Sequence, residues 1–265
     1  ENTSHAEICA RKLDQLNRRR QKSEAIVCSQ AESRLERDPT HASKHVLCTW
    51  DPEWHIGVLG IVAARLAGYF EKPALVLTIQ GDEARGSGRS FQGIDLKDLL
   101  DRVEGVDMHY GGHAAAVGLH LAAEDLPALD EALQIAAGKG PPPPEPRPLL
   151  CEAEASLAHW SAHELKRLVE FGPFGQGNTP PRFLASPVRI GNGLHTQGPD
   201  NRDLAFTAIQ DGCALPAVAR GMGRHIEELR QRDRLWQLAY SPRFAPRAEL
   251  GAIEIEVLDF QPCPD

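Results

Sequence analysis

The chain has 265 residues, of which 42% are hydrophobic and 25% are charged. This composition is ordinary for a globular protein with a buried core and room for one large domain or two smaller ones. The formal net charge of −8 excludes a uniformly basic surface, and by itself it argues against nucleic acid as a partner because phosphate affinity comes from Lys and Arg. A local basic patch can nevertheless act on an otherwise acidic surface.

The sequence contains no membrane or secretion signal. No apolar run approaches the ~20 residues that a membrane span needs, and no basic segment followed by an apolar one lies near Glu1. The six cysteines are scattered without a Cys-x-x-Cys pair, which favours reduced thiols over a zinc site or a disulfide framework. We therefore expect a cytoplasmic protein without membrane association and, because the first residue is Glu1 rather than Met, a segment of a longer chain.

The first half alternates helices and strands. Apolar residues at helical spacing predict one long helix over 1–36, which ends before Asp38-Pro39. The elements predicted next are strands at 45–50, 74–79 and 116–121, a further strand reaching Phe91, and helices at 55–70, 96–103 and 124–137. Strands that alternate with helices indicate an α/β domain.

A proline-rich run over 139–148 separates the two halves and favours an extended spacer. The second half is predicted to contain a helix at 159–171 and strands at 182–190, 203–209, 215–220, 235–240 and 252–260. Ile253, Ile255 and Val257 alternate with Glu254 and Glu256, which is typical of a strand with one solvent-exposed face. Five strands and a helix suit a small barrel such as the OB-fold, which often binds single strands. A β-sandwich would give a similar pattern.

Two clusters in the first half suit anion binding. Trp54-His55-x-Gly57 opens a predicted helix, and a helix amino terminus offers unpaired N–H groups to phosphate. The alternative is a helix start with a buried Trp and a hydrogen-bonded His. The run 85–90, Arg-Gly-Ser-Gly-Arg-Ser, is interpreted as a glycine-rich loop, in which freed N–H groups form an anion-binding nest and arginine matches phosphate oxygens. An ordinary turn is the alternative.

A third cluster, Gly111-Gly112-His113, lets the backbone approach a ligand while the imidazole points at it. A metal pair formed by His109 and His113 is disfavoured, because the two glycines between them cost a helix ~1 kcal/mol each and no third ligand is evident. The sequence shows no nucleophile elbow, carboxylate-rich cluster or Cys–His pair, so we expect neither catalytic residues nor metal ligands. The turn-rich run at 173–178 favours a rigid corner that leads into the barrel.

Taken together, these clusters resemble one family. The runs 54–65, 86–90 and 111–118 are similar to the DHH-associated domain of the RecJ family of single-strand-specific DNA exonucleases. The run 173–180 is similar to the segment that leads into the OB-fold domain of this family, and 13–31 to the helix that connects its two core domains.

The resemblance implies four parts: a connector helix (1–37), a DHH-associated α/β domain with a mixed sheet (38–138), a proline-rich linker (139–148) and an OB-fold-like domain (149–265). It also implies which residues bind the nucleic-acid backbone. These are Trp54, His55, Gly57, Arg65, Ser87, Gly88, Arg89, Ser90, Gly111, Gly112 and His113.

The function implied by the resemblance is that of the nucleic-acid-binding half of a 5′-to-3′ single-stranded-DNA exonuclease in DNA repair and recombination. The family cuts with two Mn²⁺ or Mg²⁺ ions held by a DHH domain, whose Asp-His-His motif is absent from this sequence, so this chain alone is expected to be inactive. Single-stranded DNA is the implied partner. A single-strand-binding protein or another repair protein is an additional one.

Two other functions stay open. The chain could be a protein-interaction module of the replication and repair machinery that kept the fold and lost catalysis, which the net charge of −8 and the acidic run at 247–256 favour. A small-phosphoester enzyme of the same superfamily is the third possibility. The OB-like second half argues against it, because a small substrate needs no strand-tracking barrel.

Overall fold

A computed structural model describes residues 3–141, 148–198, 201–231, 234–245 and 252–263. The chain divides into two compact units, residues 1–146 and residues 147–265. Most of the predicted proline-rich spacer, at 142–147, and the first part of the acidic run, at 246–251, lie outside the described residues. No helix in the described ranges combines the length and the apolar character needed to cross a bilayer.

The first unit is a mixed sheet with helices on both faces. Its elements are α1 (Thr3–Arg37), β1 (Leu47–Trp50), α2 (Leu59–Phe70), β2 (Ala74–Gln80), β3 (Glu83–Arg89), α3 (Leu96–Asp101), β4 (Met108–His113), β5 (Ala116–Ala122) and α4 (Leu126–Gly138). The strand order is β1-β2-β3-β5-β4. β1 and β2 are parallel, and the remaining pairs are antiparallel. The predicted α/β class with a mixed sheet is confirmed.

Two apolar layers hold this sheet. On one face, leucines of α3 and α4 pack against Leu75, Val117 and Leu119. On the other face, Leu59, Val62 and Leu66 of α2 pack with Val76 and with the end of α1. α2 covers β2 and β3, whereas the side chains that β5 and β4 direct to this face are largely exposed.

The carboxyl third of α1 is joined to α2 by polar contacts as well as apolar ones. Trp54 is buried, and its Nε1 donates to Gln30 Oε1 at 2.9 Å. Glu24, only 3% exposed, accepts from Arg20 at 2.5 Å and pairs with Arg65 at 2.7 Å. A buried carboxylate needs charged partners to be stable. Arg20 supplies one from α1 itself, and the pair with Arg65 of α2 joins the two helices.

The second unit is a small closed barrel. Its elements are β6 (Ala153–Glu154), α5 (Ala162–Val169), β7 (Phe183–Ile190), β8 (His195–Gln197), β9 (Asp203–Gln210), β10 (Cys213–Ala219), α6 (Ile226–Leu229), β11 (Leu235–Phe244) and β12 (Ile253–Pro262). Five strands close in the order β7-β11-β12-β10-β9 and back to β7. The predicted OB-fold is confirmed, and the β-sandwich alternative is wrong.

One tyrosine ties the segment before α5 to the barrel. The Tyr240 side chain is fully buried, and its hydroxyl accepts from Trp160 Nε1 at 2.7 Å and donates to the Ala155 carbonyl at 2.9 Å. Burial raises the pKa of the Tyr240 phenol to about 12, although the hydrogen bond from Trp160 acts in the opposite direction. The barrel core therefore contains a satisfied polar bridge rather than apolar contacts alone.

The predicted alternation along β12 is confirmed, because Ile255 and Val257 are buried. The glutamates between them are ion-paired. Arg243 binds Glu254 at 2.7 Å and Glu256 at 2.8 Å, and Arg220 binds Glu256 at 3.0 Å. The described part of the acidic run at 247–256 is therefore largely neutralised within the barrel, which removes part of the charge argument for a protein-binding edge.

Replacing Tyr240 with Phe should destabilise the second unit. The substitution leaves the Trp160 indole N–H and the Ala155 carbonyl without their partner, and each buried polar group left unpaired costs about 1–3 kcal/mol. Urea denaturation measures the change. Tyr110→Phe is the matched control, since that hydroxyl donates to Asp101 at a solvent-exposed position and its loss should cost less than about 1 kcal/mol. Equal effects of the two substitutions would contradict the bridge.

The same tyrosine should make the stability fall at alkaline pH. Its ordinary pKa is 10.0, and the folded pKa is raised to about 12. The unfolded chain therefore releases the phenolic proton first, so this contribution is complete below about pH 10 and is lost as the pH rises towards about 12. Denaturation across this range should show a decline that is shallower in Tyr240→Phe. Identical pH profiles for the two proteins would rule the effect out.

Candidate nucleic-acid interface

The cluster around Trp54 forms the start of α2. His55 caps a single 3₁₀ turn, Ile56–Val58, and its Nδ1 accepts from the Gly57 N–H at 3.0 Å. Both His55 and Gly57 are exposed, whereas Trp54 is 3% exposed beneath them. In this cluster the indole of Trp54 packs in the core, and His55 and Gly57 face solvent at the amino end of α2.

The run 85–90 is not a loop, which corrects the interpretation of these residues as an anion-binding nest. Residues up to Arg89 belong to β3 and pair on both sides, with β2 and with β5. Their backbone groups therefore serve the sheet ladder. The glycines are required by packing, because a Cβ at Gly86 would lie 2.4 Å from the Val76 carbonyl oxygen and one at Gly88 would lie 2.7 Å from Val117 Cγ2.

Strand alternation directs the other residues of β3 to the opposite side of the sheet. There, three rows run across β3, β5 and β4, and we call these nine positions the open sheet face. The rows are Arg85–His120–His109, Ser87–Gly118–Gly111 and Arg89–Ala116–His113. Because the pairing register fixes each row, residues that are far apart in sequence become neighbours on one surface.

The centre of the open sheet face is flat. A Cβ added at Gly111 would meet nothing within 4 Å, and one at Gly118 would meet only the Gly86 carbonyl oxygen at 4.0 Å. Neither glycine is needed for packing within this unit, unlike Gly112, where φ is +145° and a Cβ would lie 2.2 Å from the Ala116 carbonyl oxygen. A ligand backbone could therefore lie directly against the strands at this point.

The amino end of α2 borders this face. A Cβ added at Gly60 would lie 2.9 Å from Arg89 Nη2 and 3.6 Å from Ser87 Oγ, so glycine allows the helix to approach β3 closely. The positive end of the helix dipole, the guanidinium and the hydroxyl are thereby brought together, and each of the three favours an anion.

Arg89 is held without an acidic partner. Its Nη1 donates to the Gly88 carbonyl oxygen at 2.8 Å, and within the described part of the chain no carboxylate forms an ion pair with it. Arg85, on the same strand and face, is already paired with Glu83 at 2.8 Å. The free positive charge of this face therefore lies at the Arg89 end.

The remaining predicted site residues are dispersed. Arg65 pairs with Glu24, Ser90 donates its hydroxyl to the Ile94 carbonyl, and Gly88 is buried. His113 is exposed, with its Nδ1 accepting from the Ala115 N–H at 3.3 Å. Of the predicted set, Ser87, Arg89, Gly111 and His113 share the open sheet face. Whether any of the set binds a ligand stays a prediction.

The sequence analysis considered His109 only as a metal ligand and missed His120, the other histidine of this face beside it. His120 lies beside His109, with ring centroids 4.9 Å apart. The alternation of Val117, Leu119 and Leu121 could have directed His120 to the solvent side, but its neighbour was hidden because β4 was not recognised as a strand. In the ranges described, no three His, Cys, Asp or Glu side chains lie together in a way that could hold a metal ion.

The two adjacent glycines of β4 should respond differently to alanine. Gly112→Ala forces a methyl group into the backbone of β5 at a left-handed φ, which should destabilise the first unit by about 2–4 kcal/mol. Gly111→Ala meets open space and should change the free energy of unfolding by less than about 1 kcal/mol. Thermal or urea unfolding of both variants tests this, and a larger loss for Gly111→Ala would refute the assignment of the two faces.

The comparisons with known proteins agree with this architecture. The DHHA1 domain family matches residues 43–138, and the RecJ OB domain family matches residues 151–255. The single-stranded-DNA-specific exonuclease RecJ of Bacillus subtilis is 33% identical over 191 residues, which cover 69% of this chain and 24% of that protein. The Salmonella typhimurium RecJ is 30% identical over 196 residues, covering 69% of this chain and 33% of the relative. The chain thus spans about a quarter to a third of these relatives.

Among solved structures, RecJ from Thermus thermophilus has the same fold. Its complex with Mg²⁺ matches with a TM-score of 0.72 and 24% identity, covering 100% of this chain and 39% of that one. Its complex with Mn²⁺ matches with the same TM-score and covers 37% of that chain. With matches to the DHHA1 domain family followed by the RecJ OB domain family, this chain is RecJ-like.

Proposed function

We propose that this chain is the nucleic-acid-binding part of a single-strand-specific 5′-to-3′ DNA exonuclease that acts in DNA repair and recombination. The observation that carries the proposal is the open sheet face, where Arg89, which has no acidic partner among the described residues, lies beside two glycines and a helix amino terminus. The relatives are single-stranded-DNA-specific exonucleases by name, which indicates the polymer that such a face would hold.

The proposed contacts follow from the chemistry of each group. The Arg89 guanidinium would take a phosphate through its planar fork, and the Ser87 hydroxyl would donate to the same or the next phosphate. Gly111 and Gly118 would let the sugar–phosphate backbone lie against the sheet. His113, at the end of the Arg89 row, would contact the DNA strand at the edge of the open sheet face. His55 and Gly57 would meet it at the amino end of α2.

Other members of the expected set would act indirectly. Trp54 would hold the helix start from below, and Gly88, Ser90 and Gly112 would keep β3 and β4 in register. Arg65, whose side chain is 40% exposed while it pairs with Glu24, could contact phosphate only at the solvent side of that pair.

Cleavage would need groups beyond those described. The Thermus thermophilus RecJ binds Mg²⁺ or Mn²⁺, and we propose the same metal dependence for the whole protein. The residues described here offer no cluster of three metal-ligating side chains, so no step of the reaction is assigned to them. A DHH domain outside these residues would supply the two-metal centre, which generates the hydroxide and stabilises the leaving oxygen. This chain alone should bind DNA without cutting it.

Arg89→Ala should weaken the binding of a single-stranded oligonucleotide, because a charge-assisted phosphate contact contributes about 1–3 kcal/mol. This corresponds to a rise in Kd of about five- to a hundredfold. The slope of log K against log salt should also become shallower by about 0.7, the value for one phosphate contact on a single strand. Fluorescence anisotropy at several salt concentrations measures both quantities.

Lys97→Ala is the matched control for this experiment. It removes the same charge from α3, on the opposite side of the sheet, where Lys97 pairs with the exposed Asp101. It should leave the affinity and the salt slope close to those of the unchanged protein. An Arg89→Ala variant that binds as tightly as the Lys97→Ala variant would exclude the open sheet face as the phosphate site.

One observation favours a protein-interaction module as the second candidate. OB-folds commonly bind ligands on the outer face of their second and third strands, which are β9 and β10 here. The outward positions in the middle of these strands are uncharged and not aromatic: Ala205, Thr207, Ile209, Ala214, Pro216 and Val218. Such a face suits a protein better than a phosphate chain. Weak binding of single strands together with tight binding of a purified single-strand-binding protein would favour the protein-interaction module over the nuclease part.

A further inference from the structure

The loop between α5 and β7 exposes an aromatic ring. Phe171 is 73% exposed. The chain has eight Phe, four Trp and three Tyr, all within the described ranges, and among these residues only Phe171 is exposed to solvent. An aromatic side chain usually buries most of its surface in a core or an interface. Among the described Phe, Trp and Tyr side chains, the ring of Phe171 is therefore the most accessible to a ligand.

The backbone that carries this ring is pinned. Asn178 Nδ2 donates to the Phe171 carbonyl oxygen at 3.2 Å and to the Pro173 carbonyl oxygen at 3.1 Å. Gly175 and Asn178 exchange two backbone hydrogen bonds, at 2.8 and 3.2 Å, which close a tight turn in which Gly177 has φ +82°. A ring on a fixed backbone loses less conformational entropy on binding than a ring on a free loop.

Phe171 follows a helix end with charged side chains of both signs, since Glu170 is the C-cap of α5. Lys166 and Arg167 lie in the last turn of α5, and the contact of Arg167 with Glu164 is long, at 3.7 Å. Val169 is the exposed apolar neighbour on the helix, at 52%. An exposed aromatic ring that follows two cationic residues closely in sequence is a combination with which proteins bind single strands, by base stacking and phosphate attraction. Protein-docking sites are larger contiguous apolar patches.

We propose that Phe171 is a base-stacking platform of the second unit, on which a nucleobase of the bound single strand lies. The inference rests on the proposed function, because it presupposes a single-stranded ligand. It also assigns a role to the turn-rich run at 173–178, which would hold the backbone that carries the ring in a fixed position. The stacking surface that the middle of β9 and β10 lacks would be provided by this loop instead.

The test is anisotropy of a labelled oligothymidylate with four variants of the full 265-residue chain. Phe171→Ala and Phe171→Leu should raise Kd about 5- to 100-fold, because stacking on an aromatic face is lost in both. Phe171→Trp should keep the affinity within about twofold, since indole retains the aromatic face. Val169→Ala is the control for removing an exposed apolar side chain nearby, and it should bind like the unchanged chain.

A second oligonucleotide isolates the base. An abasic strand of the same length keeps the phosphates and lacks the rings, so the unchanged chain and Phe171→Ala should bind it equally. A Phe171→Leu variant that binds oligothymidylate normally, or a Phe171→Ala variant as weakened on the abasic strand as on oligothymidylate, would overturn the stacking role. Loss of binding to a purified single-strand-binding protein with unchanged DNA binding would overturn it too and assign Phe171 to protein docking.

The outcomes also separate this inference from the proposed function. If the unchanged chain binds no oligonucleotide at low salt, the proposed function fails and the inference fails with it. If the unchanged chain binds and Arg89→Ala weakens binding while Phe171→Ala does not, only the inference fails. Circular dichroism should show the same unfolding midpoint for Phe171→Ala and the unchanged chain, because the ring is 73% exposed.

Discussion

Over residues 85–89 the central strand β3 has side chains on one face only, and the first unit is built around this asymmetry. Towards α3 and α4, Gly86 and Gly88 leave room for β2 and for Val117, whose atoms would lie 2.4 to 2.7 Å from added methyl groups. Towards the other face, the same strand presents Ser87 and Arg89. Close packing around the glycines therefore fixes the positions of Ser87 and Arg89 on the opposite face, because the strand cannot rotate without disturbing that packing.

The helices extend this constraint. α2 approaches β3 closely at Gly60, next to Arg89 and Ser87, and α1 is attached to α2 through the ion pair of the buried Glu24 with Arg65. α2 covers β2 and β3 but leaves β5 and β4 open, and that uneven coverage produces a face with a helix terminus at its border. The function proposed for this face depends on apolar packing beneath it, under α3 and α4, and beside it, under α2.

The second unit satisfies different requirements. Its barrel is closed by a complete ring of strand pairs, and its core contains the satisfied polar bridge of Tyr240, Trp160 and the Ala155 carbonyl. Its glutamates on β12 are neutralised by Arg243 and Arg220, so the net charge of −8 does not gather at that edge. The uncharged outer face in the middle of β9 and β10 and the exposed ring of Phe171 suggest that this OB domain meets its ligand through a loop more than through a sheet.

The sequence by itself determined the alternation of elements, the division into an α/β unit and a barrel, and the residue types suited to an anion, because apolar periodicity and glycine content are local properties. The prediction of a strand reaching Phe91 conflicted with the interpretation of 85–90 as a loop, and the sequence could not decide between them, since the glycines there are selected by contacts with β2 and β5 and not by a turn. For the same reason β4 was missed. The rows of the open sheet face, the burial of Trp54 and the pairing of Arg65 with Glu24 were decided by the tertiary structure, because strand register and helix packing join residues far apart in the chain.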